Sequence, residues 1–362
     1  MRSIAEHVER ILDAARIAPS SNNLQPWRFL VEGETVSFLL DYERDRSPAN
    51  ANGRLARIAV GAALECALLR AARMGVTVKL QPLRPNALIT LSFTAPKRFP
   101  EPDKALVRRV TNRRLYDSRP VDDETFAWLR DAAPPLDSAR TFWFGRERVR
   151  ALGALVEEGE AILYGEPALR EPALRALRFD VRDREEVTHG LSLGSLELSP
   201  GERVTLDSLR RTPQDRSAAM GTFGKMGARE RRLMESASGV CVIAAKGAEP
   251  SSDVEVGRAM QRAWLALTRR GLVAQPMNTL PSLEAVMELD PPLPLENAER
   301  ATALLSSFRA TFPSVEKGSR VAFLLRFGWA PPPSSRVRRL SLEESLAVES
   351  MAPPPLVRSD LP

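Results

Sequence analysis

The stretch VGAALECALLRAARMG, residues 60–75, has a counterpart in VGRAMQRAWLALTRRG, residues 256–271. At a constant offset they share Val60/Val256, Gly61/Gly257, Ala63/Ala259, Ala67/Ala263, Leu69/Leu265, Arg73/Arg269 and Gly75/Gly271, which is 7 of 16 positions. Both read as helices, over roughly 52–74 and 254–270. Gly75 and Gly271 stand where a helix C-cap needs a left-handed residue. Gly61 and Gly257 fall inside the helix, where glycine costs about 1 kcal/mol against alanine. Close approach of another backbone or of a ligand would offset that cost. Two alanine-rich helices can resemble each other by composition alone, but the paired glycines weigh against that reading. Each helix runs on into a strand-like segment, and strands 87–93 and 320–327 read as equivalents. The repeat predicts an α+β chain of two fused half-units packed about a pseudo-twofold axis, as in a homodimer.

The rest of the 362 residues fits around the two helices. Ile4, Val8, Ile11, Leu12 and Ala15 mark an amphipathic helix over 4–18, stopped by Pro19. Apolar runs at 27–31 and 35–40 flank Glu32-Gly33-Glu34 and predict a hairpin. Strands at 76–80 and 87–93 complete a first half, residues 1–100. The second half, 101–330, reads as a helix at 103–109, a basic loop at 111–120, a helix at 122–133 and a strand at 140–144. A strand at 239–245, the repeat helix, a strand or turn at 272–277, helices near 282–289 and 296–310 and a strand at 319–327 follow. Residues 146–235 are charged and helical and too long for one loop, so an insertion or lid is expected there. The Pro-, Ser- and Arg-containing arm, 331–362, is expected to lie extended over the surface.

Composition narrows the function classes. Apolar residues make up 43%, enough for a sizeable core. Lys and Arg number 52 against 46 Asp and Glu, a net charge of +6 that tolerates anionic ligands. The basic residues are scattered and aromatics are only 6%, which argues against a nucleic-acid binder. The two cysteines, Cys66 and Cys241, and two histidines, His7 and His189, are too few for a disulfide framework, an iron–sulfur cluster or a Cys- or His-rich metal centre. No metal site is expected. Unpaired thiols fit a reducing, cytoplasmic compartment. The start MRSIAEHVERILDAA does not read as a signal peptide, and no apolar run is long enough for a bilayer, so no membrane partner is expected. With acids and bases so sparse, an enzyme of this composition would lean on a bound cofactor.

The segment Ala14–Val31, AARIAPSSNNLQPWRFLV, contains Pro19, Ser20, Asn23, Gln25, Pro26, Trp27 and Phe29 in a pattern that resembles the FMN-binding signature of the nitroreductase family. Arg109-Val-Thr-Asn-Arg113 looks like that family's Arg-x-Ser/Thr-x-Arg/Lys loop and precedes Tyr116-Asp117 and Arg119-Pro120-Val121. Gly257 to Gly271 is similar to its long central helix. Phe327-Gly-Trp-Ala330, with Arg336 and Arg338 beyond, looks like its closing strand and basic C-terminal arm. In ordinary members the basic loop precedes the Gln-Pro-Trp segment. Here the order is reversed, and Thr-Asn-Arg-Arg-x-Tyr-Asp resembles the double-length Acg-like branch, in which two units are fused.

The resemblance implies a nitroreductase-like fold whose pseudo-dimer holds one FMN between the halves. Ser20, Ser21, Asn23 and Gln25 would supply one side of that site; Arg109, Thr111, Arg113, Gln275, Met277, Arg336 and Arg338 the other. Arg suits a dianionic phosphate, and Ser, Thr and Asn suit a ribityl chain and a polar ring edge. The counterpart of the Gln-Pro-Trp segment, AAPPLDSARTFWF at 132–144, lacks the signature, so a second flavin site is not expected. The implied activity is NAD(P)H-dependent reduction of an electron-poor acceptor such as a nitroaromatic or quinone, or flavin-dependent dehydrogenation, with no side chain needed as catalytic acid. NADH or NADPH would be a transient reductant and the chain a monomer or homodimer. The alternative is a non-catalytic FMN-sequestering protein with a lid, of which 188–198 is the expected covering part.

Overall fold

The computed structural model describes residues 4–82, 84, 86–117, 119–181, 187–290, 295–315 and 318–347. The ends of the arm and a short piece of the expected lid, 348–362 and 182–186, lie outside the described residues.

The first half runs α1 (Glu6–Arg16), β1 (Trp27–Glu32), β2 (Thr35–Leu40), α2 (Arg54–Met74), β3 (Val78–Leu80) and β4 (Ala87–Phe93). A short α3 (Lys104–Arg108) leads to α4 (Asp123–Ala132) and β5 (Ala139–Phe144). A long excursion follows: α5 (Arg146–Gly165), α6 (Pro167–Arg175), β6 (Leu177–Arg178), β7 (Leu191–Ser192), α7 (Pro200–Arg211), α8 (Gln214–Ala219) and α9 (Thr222–Glu235). The chain then resumes as β8 (Gly239–Lys246), α10 (Pro250–Arg269), β9 (Val273–Pro276), α11 (Thr279–Met287), α12 (Ala298–Ala310), β10 (Ser319–Gly328) and α13 (Leu342–Ser345).

Two antiparallel four-stranded sheets have the same order. One is β1-β2-β4-β3, the other β5-β8-β10-β9. Each element of the first half therefore has a partner in the second: α1 with α4, the β1–β2 pair with β5–β8, α2 with α10, and β3–β4 with β9–β10. Where Gly33, at φ +64°, turns β1 directly into β2, the equivalent strands β5 and β8 are separated by the whole α5–α9 excursion. A second, smaller excursion, α11 and α12, separates β9 from β10.

The central helices α2 and α10 cross between the sheets. A Cβ on Gly257 would lie 1.9 Å from the Ile58 carbonyl oxygen, and one on Gly61 would lie 2.0 Å from that of Val254. These contacts are each other's equivalents at the repeat offset, so the interior glycines are required by mutual backbone approach. Arg57 Nη2 meets Asp253 at 2.7 Å, and these two positions are themselves equivalent. Nearby, Arg262 Nε donates to Glu65 Oε1 at 2.7 Å, while the equivalent pair has Gln261 Nε2 donating to Cys66 Sγ at 3.1 Å. The same crossing geometry thus carries an ion pair on one side and a neutral contact on the other. Trp27, Trp264, Phe29, Phe38 and Phe327 fill the core around it. Burial pushes the Cys66 thiol up to about 12 and Cys241 well above its usual range, so both are packing groups at neutral pH.

The arm does not lie free on the surface. After β10 it crosses to the first half, where Leu346 bridges Phe29 of β1 and Ala347 N donates to the Phe29 carbonyl at 2.9 Å. Arg16 Nη1 donates to the Leu340 carbonyl at 3.2 Å. Composition predicts extension but not the edge of β1, an unpaired row of backbone groups that a neighbouring segment satisfies. Among the described residues, no helix is long and apolar enough to cross a membrane.

Candidate functional site

A cavity of about 680 Å³ lies between the halves, roofed by the excursion and edged by the arm. Its first-half lining begins where α1 ends. Pro19 stops the helix and the chain coils through Asn22, Asn23 and Gln25, all at positive φ (46°, 56° and 52°). Asn tolerates that region, whereas Gln there is strained by about 1–2 kcal/mol. Several hydrogen bonds hold the coil: Ser20 Oγ accepts from Gln25 N at 2.9 Å, Gln25 Nε2 donates to the Thr188 carbonyl at 2.7 Å, and Leu340 N donates to Gln25 Oε1 at 2.9 Å. The coil presents Ser20, Ser21 and Asn23 to the cavity. Gln25 does not line it; fully buried, it ties coil, roof and arm together.

The second-half lining comes from the basic loop and the arm. Arg109, Thr111, Arg113, Arg336 and Arg338 all line the cavity. Arg109 is 7% exposed, stacks over Trp264 at 4.8 Å and donates from Nη2 to the Ile17 carbonyl at 2.9 Å. Arg339, part of the arm's basic run but not of the expected site, also lines the cavity and donates from Nε to the Ala18 carbonyl at 2.9 Å. Burial lowers Arg109 to about 10 and Arg339 to about 9, and the mutual repulsion of Arg109 with Arg336 and Arg339 adds to it. Among the described residues, no carboxylate pairs with Arg109, Arg336 or Arg339. Burial also lowers Arg113 to about 10, with Arg229 adding, and its Nη1 donates to the Ser195 carbonyl at 3.1 Å.

Gln275 and Met277 do not line the cavity. Gln275 Oε1 accepts from Nε and Nη2 of Arg326 at 2.9 and 2.7 Å, and Met277 packs in the core beneath α11. Arg326 is fully buried, also donates to the carbonyls of Leu233 and Arg114 at 2.7 Å each, and lies 3.8 Å over the Tyr116 ring. Gln275→Leu would leave that guanidinium short of its acceptor. We expect a loss of about 2–3 kcal/mol in chemical denaturation, with ligand retention unchanged at a temperature where the variant is folded.

The roof contains the expected covering segment. Leu191 and Ser195 line the cavity. The strap 187–197 is held from three sides: Asn23 Nδ2 donates to the Thr188 carbonyl at 3.2 Å, Arg338 N donates to the Val187 carbonyl at 2.9 Å, and Arg114 Nε lies 3.4 Å from Glu197. The exposed side chain of His189 is not part of the lining. Helices α5 and α6 complete the roof with Glu160, Leu163, Tyr164 and Leu169. Nothing in the sequence pattern of this insertion distinguishes the residues that face inward, because its charged faces recur all along it.

Residues 5–44 match the model of the nitroreductase family. A curated protein of Mycobacterium tuberculosis (strain CDC 1551 / Oshkosh), described only as uncharacterized, is 27% identical over 344 residues, covering 91% of this chain and 47% of that protein. The chain thus spans about half the length of this relative. Among solved structures, the FMN and NADPH-dependent nitroreductase NfnB from Sphigopyxis sp. strain HMH is 19% identical, covering 68% of this chain and 98% of that one, with a TM-score of 0.37. The FMN-dependent nitroreductase NfnB from Mycobacterium smegmatis, in complex with NADPH, is 17% identical with the same coverages and TM-score 0.37.

Proposed function

We propose that this nitroreductase-like chain binds one FMN in the cavity between its halves and is an oxidoreductase that works through it. The observation that carries the reading is the arginine cluster. Arg109 is buried and Arg339 half-buried, with no carboxylate partner among the described residues; such cations are costly, and a phosphate dianion would neutralise them. Further buried atoms in the lining have no partner: Arg109 Nε, Asn23 Oδ1 and Ser335 Oγ. The residues present fit the group.

Arg109, Arg336 and Arg339, with Arg338 beside them, would hold the phosphate. Ser20, Ser21, Asn23, Thr111 and Ser335 would meet the ribityl chain, and Arg113 would approach the polar edge of the ring. Bound FMN would supply hydride chemistry, with NADH or NADPH as transient reductant and a nitroaromatic, quinone or oxidisable substrate as partner. The protein's share is to position the ring and to exclude water with the strap and with α5–α6. Gln25 supports this site from behind. Both sides of the cavity come from one chain, so a second copy is not needed to complete it.

The strap favours one further reading. Tied from three sides, it would hold FMN while hindering a nicotinamide, as in a sequestering protein. The visible spectrum of the purified chain, followed by anaerobic NADH or NADPH, separates the two. Prompt bleaching of about one flavin per chain is expected for the oxidoreductase. A bound flavin that resists both nicotinamides supports sequestration, and a chain that takes up no FMN refutes both.

A further inference from the structure

Among the described residues, Glu160 is the one acid in the cavity lining, which otherwise carries six arginines. It sits on α5, in the excursion that the first half lacks. Among the described residues its hydrogen-bond partner is the Thr279 hydroxyl, and no cavity arginine pairs with it. Tyr164 lies one helical turn on, and Asn278, Thr279 and Ser282 of α11 line the same region. The cavity therefore has two chemically different parts: a cationic part around Arg109, Arg336 and Arg339, and a hydrogen-bonding part around a carboxyl group that no cavity arginine pairs with. An anion such as a phosphate belongs in the first.

We infer that Glu160, oriented by Thr279, donates a hydrogen bond as a neutral carboxylic acid to an oxygen of a planar, uncharged, electron-poor ligand of the quinone or nitro class. This deepens the proposed function and rests on it. Glu160 is a binding and positioning residue here, and no proton changes hands in the complex.

The surroundings agree. Burial pushes the Glu160 carboxyl up to about 8, and Glu230 of α9 adds to it. The Thr279 hydrogen bond and Arg229 of α9 pull the other way, but Arg229 is shared with Glu230, Glu202 and the Leu196 carbonyl. On the other elements packed against α5, charges are paired elsewhere: Arg300 of α12 with Glu158, and Glu284 of α11 with Arg309. Arg170 of α6 donates to the Tyr164 carbonyl at 2.8 Å. Burial also raises the Tyr164 hydroxyl, so it too stays protonated. Below its raised pKa, Glu160 is a donor. Above it, the ionised group loses the proton it would share and repels the ligand oxygen.

The test uses the full FMN-loaded, oxidised chain and 2-methyl-1,4-naphthoquinone as probe, with Kd read from perturbation of the flavin absorption between about pH 6 and about pH 9.5. For the wild type, binding should weaken about fivefold or more as pH rises through the Glu160 titration. Glu160→Gln keeps an N–H donor and should bind with no such pH dependence. Glu160→Ala should bind about tenfold more weakly throughout. A protonated-carboxyl stretch at neutral pH, present in the infrared spectrum of the wild type and absent from Glu160→Gln, is expected independently. Identical pH profiles for wild type and Glu160→Gln, with FMN bound normally, overturn this inference alone. A chain that takes up no FMN overturns the proposed function and this inference with it.

Discussion

Arg109→Ala combined with Arg336→Ala is expected to strip the chain of FMN. Each lost charge-assisted contact to a phosphate is worth about 1.5–3 kcal/mol, so the pair should raise the Kd by roughly two to four orders of magnitude. Flavin content after gel filtration and titration of the stripped protein would measure it; retention within a factor of about three of wild type would remove the phosphate assignment. The same cluster gives a prediction of opposite sign. Arg109 is buried against Trp264 with Arg336 and Arg339 near it and, among the described residues, no carboxylate partner. In the flavin-free chain it is therefore a cost, and Arg109→Met, which keeps contact with the indole, should raise Tm by roughly 2 °C while weakening FMN binding. Because the folded state holds Arg109 at about 10, below its ordinary value, the folded state binds fewer protons there than the unfolded one. The cost of this group is thus fully present below that pH and is relieved as pH rises through it. Arg109→Met should lack that relief.

Gly257→Ala is expected to be the most damaging single substitution in the scaffold. The added Cβ would stand 1.9 Å from a backbone oxygen of α2, an atom that cannot move without moving the helix. A loss above about 4 kcal/mol is expected, either as a large fall in the denaturation midpoint or as insoluble protein. Gly61→Ala, its equivalent at 2.0 Å, should behave alike. Gly224→Ala in α9, with nothing within 4 Å of the added carbon, is the control; helix propensity predicts a gain of up to about 1 kcal/mol. Equal effects at Gly224 and Gly257 would show that the crossing is not as close as described.

Much of the fold is legible in the sequence because its signals are local or periodic. Gly33, Gly75 and Gly271 mark turns and caps that any strand or helix of that pattern needs. The repeat of Gly61 and Gly257 announces two like halves, and the shared strand order agrees with that reading. The coil of Ser20 to Gln25 is legible because Pro19 must stop α1 and because polar residues follow at once. Its neighbours Arg109, Thr111, Arg113, Arg336 and Arg338 reach the cavity from far along the chain, and their residue types point to an anion.

Other assignments depend on which side of an element faces where. Gln275 has the right chemistry for a ligand, but β9 turns it inward to serve Arg326. Arg339 is one basic residue among several in the arm, and its burial follows from the arm's crossing to β1. Glu160 is one of many acids in the excursion, and only the packing of α5 against α9 and α11 turns it toward the cavity. The sequence by itself determined the turns, the close-packed helix glycines and the arginine-rich loop and arm, because these follow from backbone geometry and side-chain chemistry at single positions. The tertiary structure alone decided which arginines lack a carboxylate among the described residues, where residues 338–347 of the arm dock and which acid faces the cavity, because charge compensation and burial are set by atoms brought together from distant parts of the chain.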